Sequence, residues 1–320
     1  MDEITKHEPQ RLARPLSEVA RKYAKGSKAE STLKGYRTDW QHFLAWCAAQ
    51  GRMALPADPT TVADYVATLA DEGSCKVSTL EHRLASISQA HQLAGYDSPS
   101  KASLVRTVMK GIRRDLGVAQ TKKTAATTEV LRLMLEELGE DLLGKRDRAL
   151  LLVGFAGAFR RSELVGLDVA DVAFVPQGMV ITLRKSKTDQ EGQGQKKAIP
   201  YGTSAATCPV RALKAWLKAA KIDEGPLLRG VDRWGNVQKR GLSDKAVALV
   251  VKRCAEAAGL DPAEFAGHSL RAGLATSAAL AGAAEWEIMR QTGHRTSEMV
   301  QKYIREADLF KGNVAGKVGL

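Results

Sequence analysis

One stretch breaks the rhythm of this chain and limits what it can fold into. Over most of its length apolar residues recur at helical spacing, but "GMVITLRKSKTDQEGQGQKKAIPY" (178–201) changes period. A β-branched run, a Gly-rich polar turn and a second short extended run read as an antiparallel hairpin. The chain is therefore expected to be mainly α, with a small antiparallel β-sheet set into a helical domain.

The helices on either side carry their own punctuation. "TLKGYRTDWQHFLAWCAAQG" puts Leu33, Tyr36, Trp40, Phe43, Leu44 and Cys47 on one stripe and stops at Gly51. "DPTTVADYVATLADEG" starts with Asp58 as N-cap and Pro59 as first helical residue, then stops at Gly73. "KVSTLEHRLASISQAHQLAGY" and "KASLVRTVMKGIRRDLG" complete a small helical bundle, whose opposite faces carry Lys34, Lys76, His82, Arg83, Lys110, Arg113 and Arg114. "GVAQTKKTAATTE" (117–129) is polar, lacks large apolar residues and reads as a linker, which divides the chain into an N-terminal domain, 1–121, and a C-terminal domain, 122–320. Beyond it, "KRDRALLLVGFAGAFRRSELVGL" reads as a buried helix with a charged end. After the hairpin, helices are expected at about 207–220, 242–258, 268–281, 284–292 and 296–305.

At 320 residues the chain is long for one core and comfortable for two. Its net charge of +12 is not held in a tail: 19 basic side chains face 13 acidic ones up to residue 123, and 29 face 23 beyond it. Two basic faces closing on one polyanion would show this balance, and so would a moderately basic solvated surface. Cys47, Cys75, Cys208 and Cys254 are scattered without a C-x-x-C pair, which argues against structural zinc and for reduced thiols in the cytoplasm. The polar start "MDEITKHEPQ" and the lack of a long apolar run point away from the membrane. Neither GxxxxGK[ST] nor GxGxxG occurs, so no cofactor is implied.

Several residues then invite a common chemistry, although each has an ordinary reading alone. Arg160 and Arg161 in "AFRRSEL" could simply serve a helix end. His268 and Arg271 in "GHSLRAG" lie one turn apart at a helix start that favours anions. Lys187, at the hairpin in "RKSKT", could be a surface lysine, and Tyr303 in "TGHRTSEMVQKYIR" a core residue with a polar tip. Together they would suit phosphoryl transfer: guanidinium forks for phosphate oxygens, histidines and a lysine for protons, and a tyrosine oxygen as nucleophile. No acidic cluster of the two-metal kind accompanies them, so no metal is implied.

Arg160 in "FRRSEL", Lys187 in the hairpin, "HSLR" at 268–271, "GH" at 293–294 and Tyr303 nine residues later resemble the ordered signature of the tyrosine recombinases, the phage-integrase family. The stretches "WQHFLAWCAAQGRMALPADPTTVADYVATL", "TVMKGIRRD" and "YIREADLFKGNVAGKVGL" resemble the Cre branch of that family more than the compact Xer branch. One departure from Cre is His294, where Cre has tryptophan and the family usually has histidine.

The resemblance implies a SAM-like core-binding domain followed by a catalytic domain, and a site-specific recombinase that needs neither metal nor ATP. Tyr303 would attack a DNA phosphodiester to give a 3′-phosphotyrosyl link and a free 5′-hydroxyl. Arg160 and Arg271 would hold the non-bridging oxygens, and His268 would assist proton removal from the tyrosine. Lys187 would protonate the leaving oxygen, with Lys185 as reserve, as Arg161 is for Arg160. His294 would donate to the phosphate, and Glu163 would orient the basic residues. Strands would be exchanged in pairs through a Holliday junction by a homotetramer on double-stranded DNA carrying a specific site. Residues 306–320 would dock into a neighbouring subunit. Contacts to DNA would come from Lys34, Lys76, Ser78, His82, Lys110, Arg113 and Lys245. A telomere resolvase or type IB topoisomerase-like enzyme, and a non-catalytic DNA-binding relative, are the alternatives.

Overall fold

The structure of the protein is a computed structural model. It describes residues 28–118, 123–184, 194–294 and 296–307, together with 17–19, 23 and 318, with 305–307 described as backbone only. Lys185, Lys187 and most of the expected docking segment lie outside the described residues. Two compact units divide the chain, residues 1–121 and 122–320. Each has its own core.

The first unit is built on four helices, α1 (Glu30–Ala49), α2 (Pro59–Asp71), α3 (Val77–Ala94) and α4 (Ser103–Leu116). The start of α2 follows the sequence signal directly: Asp58 accepts from Thr60 N at 2.7 Å, with Pro59 as first residue. Phe43 and Cys47 from α1 meet Val62, Tyr65, Val66 and Leu69 of α2, Leu80 and Ile87 of α3, and Val105, Met109 and Ile112 of α4.

The second unit contains α5 (Thr128–Glu136), α6 (Leu142–Ala156), the short α7 (Arg161–Val165), α8 (Pro209–Ala220), α9 (Asp244–Ala257), α10 (Ser269–Leu280), α11 (Glu285–Thr292) and α12 (Ser297–Ala307). Between α7 and α8 a three-stranded antiparallel sheet runs in the order β1 (Val172–Val175), β2 (Gly178–Leu183), β3 (Gln195–Pro200). The expected hairpin is β2–β3, paired from Gly178–Pro200 to Leu183–Gln195. A further pair, β4 (Arg229–Val231) and β5 (Val237–Gly241), follows α8. Helix α6 is the axis of this unit, with Ala149 through Val153 buried. Trp216 of α8 is fully buried and its indole donates to Leu227 O at 3.0 Å. Among the described residues no helix is long and apolar enough to cross a membrane.

Part of the expected linker belongs to the second unit. Thr124 N donates to Glu264 O at 2.8 Å and Ala126 N to Ser269 O at 2.9 Å. Ala126 is fully buried, and a Cβ at Gly273 would stand 1.9 Å from Ala126 O. A small side chain at 126 and a missing one at 273 let an extended segment lie against α10. That is why a stretch without large apolar residues is nevertheless buried structure.

Candidate active site

The site is organised by the turn that ends α6. Gly157 closes the helix, and a Cβ there would lie 2.0 Å from the ring of Phe159. Ala158 follows with φ +46°, a left-handed conformation that costs a residue with a side chain about 1 kcal/mol. The turn lets Phe159 fold back into the core and aims three consecutive carbonyls at other elements. Gln291 of α11 donates from Nε2 to Ala156 O at 2.6 Å. Lys197 of β3 donates from Nζ to Gly157 O at 2.7 Å. Arg271 of α10 donates from Nη1 to Ala158 O at 2.7 Å. Three elements distant in sequence are thus fastened to the backbone immediately ahead of Arg160.

Arg160 itself is held by Glu163. Nη1 donates to Glu163 Oε1 at 2.6 Å, and the Arg160 backbone N–H donates to Oε2 at 2.9 Å. The Glu163 side chain is 3% exposed and that of Arg160 is 17% exposed, so the pair is shielded on one side and open on the other. Arg161, the reserve, runs past Gly267 towards Asp244, with Nη2 at 3.9 Å from its carboxylate.

Arg271 is 5% exposed, and its Nη2 is buried without a hydrogen-bond partner among the described residues. A buried unpaired guanidinium N–H costs roughly 1–3 kcal/mol, more when charged, so its persistence calls for an explanation. Burial, then repulsion from Arg160, brings the Arg271 pKa down to about 10, which leaves it cationic at neutral pH. His268 is exposed at the N-cap of α10, three residues before Arg271.

His294 and Tyr303 lie face to face, with ring centroids 6.1 Å apart and planes at 28°. Tyr303 also packs with Ile304 on a small cluster of Ala275, Ala279, Ile288 and Val300, so its ordinary role as a packing residue is real. Stacking on His294 and packing on this cluster coexist. Burial, then Arg271, Arg160 and Lys197 in that order, lowers the His294 pKa to about 4. Its Nδ1 lies 2.8 Å from Thr292 Oγ1, while that hydroxyl donates to Ile288 O at 2.6 Å. With its hydrogen committed, Thr292 must accept, which assigns the proton to Nδ1 of His294 and leaves Nε2 facing away from Thr292.

The second unit therefore gathers Arg160, Glu163, Arg271, His294 and Tyr303 near one turn, and adds Lys197, which the sequence reading passed over. A signal for it existed. On β3 the residues alternate, and with Ile199 facing inward Lys197 must face inward too.

The expected DNA contacts form a different kind of surface. In the first unit Lys34, Lys76, Ser78, His82, Lys110 and Arg113 are all exposed. His82 Nδ1 lies 2.5 Å from Asp39 Oδ2, and Arg113 donates to Glu81 at 2.8 Å. Arg83 departs from the expectation that it shares this face: its Nη1 turns inward to Tyr65 Oη and to His42 at 3.0 Å each. In the second unit Lys245 is exposed in the first turn of α9, capped by Ser243.

Comparison with known proteins places these observations. The profile of the Phage integrase family matches residues 125–309. An integrase/recombinase XerD homolog of Selenomonas ruminantium is 44% identical over 307 residues, covering 95% of this chain and 89% of that protein. Cre recombinase of Escherichia phage P1 is 25% identical over 304 residues, covering 89% and 86%. The relative named for XerD is nearer, and Cre also matches, more distantly. The Tn1549 transposon integrase, solved in complex with transposon right end DNA, shares the fold with a TM-score of 0.63 at 16% identity, over 91% of this chain and 96% of that one. A lambda integrase dimer bound to a COC′ core site gives 0.59 at 17% identity, over 89% and 92%.

Proposed function

The chain belongs to the phage integrase family and is a tyrosine-type site-specific recombinase; from that premise we propose that Tyr303 is its nucleophile and that the exchange runs through a 3′-phosphotyrosyl intermediate. The observation that carries this reading is the buried, unpartnered Nη2 of Arg271, beside Arg160 and within the electrostatic reach of Tyr303. A non-bridging phosphate oxygen supplies the acceptor that this nitrogen lacks, and a second such oxygen suits the open side of Arg160.

The Tyr303 oxygen attacks phosphorus and forms the Tyr–O–P bond as the P–O5′ bond breaks. His268 takes the phenolic proton, and Lys187 returns one to the 5′-oxygen. The guanidinium charge of Arg160 and Arg271 stabilises the transition state, so the step requires neither metal nor ATP. The phosphotyrosine conserves the phosphodiester, and a second strand's 5′-hydroxyl reverses the step to seal the exchange. Repeated on the other strand pair, this passes through a Holliday junction within a homotetramer, with 306–320 docking between subunits. DNA also changes His294. Burial, with repulsion from Arg271, Arg160 and Lys197, keeps the imidazole neutral; a phosphate anion offsets the repulsion and so favours the protonated ring that can donate from Nε2.

The test uses wild type and Tyr303→Phe with a randomised duplex library, trapping covalent protein–DNA adducts in denaturing detergent and sequencing what is attached. Adducts from the wild type alone support the reading and reveal the site. Adducts from Tyr303→Phe at the wild-type level would exclude Tyr303 as the nucleophile.

A further inference from the structure

Lys197 is a buried cation inside the second unit. It is 3% exposed on the inward face of β3, the face it shares with Ile199. Elsewhere in the same unit a buried cation is neutralised by a carboxylate: Arg146 donates to Asp147 at 2.6 Å. Lys197 forms no ion pair of that kind among the described residues. Its immediate partners are two carbonyls, Gly157 O and Gln291 O, each at 2.7 Å, with the Phe159 ring centroid 5.1 Å away. Burying an ammonium on neutral partners is costly. Arg271 and Arg160 raise the cost further and Glu163 reduces it, with burial the largest influence; together they bring the pKa down to about 8.

The two carbonyls belong to the two backbone segments that deliver catalytic groups. Gly157 lies three residues before Arg160, and Gln291 three residues before His294. The Gln291 side chain binds the same turn through Ala156 O, so the end of α11 is fastened to it twice. Strand β3 is also one arm of the β2–β3 hairpin, and Lys187 falls between the two strands in sequence.

We propose that Lys197 is a positioning residue for strand cleavage: its ammonium clamps the turn ahead of Arg160 to the helix end ahead of His294 and fixes the spacing of the groups that grip the phosphate. The inference rests on the proposed phosphotyrosyl chemistry and adds a residue to it. A protonated clamp makes charge-assisted hydrogen bonds; loss of the proton weakens them and removes a positive charge beside the phosphate site. Cleavage is therefore expected to decline at alkaline pH, from about 8 upwards, since a bound phosphate favours the charged ammonium.

The probe is a duplex of the sequence recovered with the wild type from the randomised library. Single-turnover adduct formation is measured for wild type, Lys197→Met and Lys197→Arg at pH values on both sides of 8, with DNA retention measured in parallel. Lys197→Met should lose about 10- to 100-fold in cleavage rate and keep DNA retention, the loss seen when a group that orients others is removed. Lys197→Arg, whose charge does not titrate in this range, should recover most of the rate and move the alkaline decline to higher pH, where Lys187 alone would set it. A duplex with a bridging 5′-phosphorothiolate, whose thiolate leaves without a proton, should not rescue Lys197→Met. Full rescue by that duplex would overturn positioning and make Lys197 the proton donor. A folded Lys197→Met variant cleaving at the wild-type rate would overturn the inference outright. If that variant does not fold, Lys197→Arg decides alone, and an unchanged alkaline decline sinks the proposal. No adduct from the wild type would instead overturn the phosphotyrosyl reading itself.

Discussion

Two arginine–glutamate pairs show how differently this protein uses the same chemistry. Arg113 and Glu81, which join α4 to α3, have side chains 44% and 48% exposed. Arg160 and Glu163 sit one turn apart at α7, 17% and 3% exposed. In the first pair the carboxylate competes with whatever anion approaches the arginine. Solvent screens the attraction, and such pairs contribute about 0–1 kcal/mol. In the second, Glu163 also holds the Arg160 backbone N–H, and its fixed charge lies among Arg160, Arg271 and Lys197. On the proposed function, one glutamate occupies an arginine until phosphate arrives, and the other aims the arginine that would grip the phosphate.

The sharpest way to break this contrast is to neutralise both carboxylates. Glu163→Gln is expected to lower single-turnover cleavage by about 10- to 100-fold, since Arg160 loses its orienting partner. If the rate is unchanged, Arg160 is held by its turn alone. A smaller effect is expected from acid. The unfolded imidazole of His294 takes a proton near 6.5, but the folded one does so only near 4, so between them the unfolded chain binds more protons. Stability therefore falls as pH drops through that window, and His294→Asn should remove this part of the slope in denaturant titrations. The smallest effect should come from Glu81→Gln. It frees Arg113, changes stability by less than about 1 kcal/mol, and should tighten DNA binding modestly with a steeper salt dependence. Weaker binding by Glu81→Gln would show that Glu81 shapes the surface and does not merely occupy Arg113.

The sequence displayed the elements whose signals are local and periodic. Asp58-Pro59 opened α2, and the β2–β3 hairpin declared itself by its change of period. Strands β1, β4 and β5 escaped notice because three to five half-buried or exposed residues show no period of their own. Residues 123–127 were read as linker because burial there rests on one alanine fitting against one glycine. Arg160, Arg271 and Tyr303 stood out in the sequence as an ordered motif, and the structure brings them near one turn. The fastening of their elements to three successive carbonyls was not legible, because a carbonyl has no letter in a sequence. Lys197 lies between these cases, visible only to a reader who let Ile199 set the phase of β3.

The segment 123–127 also has a mechanical meaning. Its backbone is zipped to Glu264 and Ser269, on either side of the loop that leads into His268 and Arg271. The chain coming from the first unit is therefore moored at the doorstep of α10, several residues ahead of α5. Any load carried along the backbone meets that mooring first, and a fragment of the second unit trimmed to begin at Thr128 would leave α10 with an open seam where Ala126 had been.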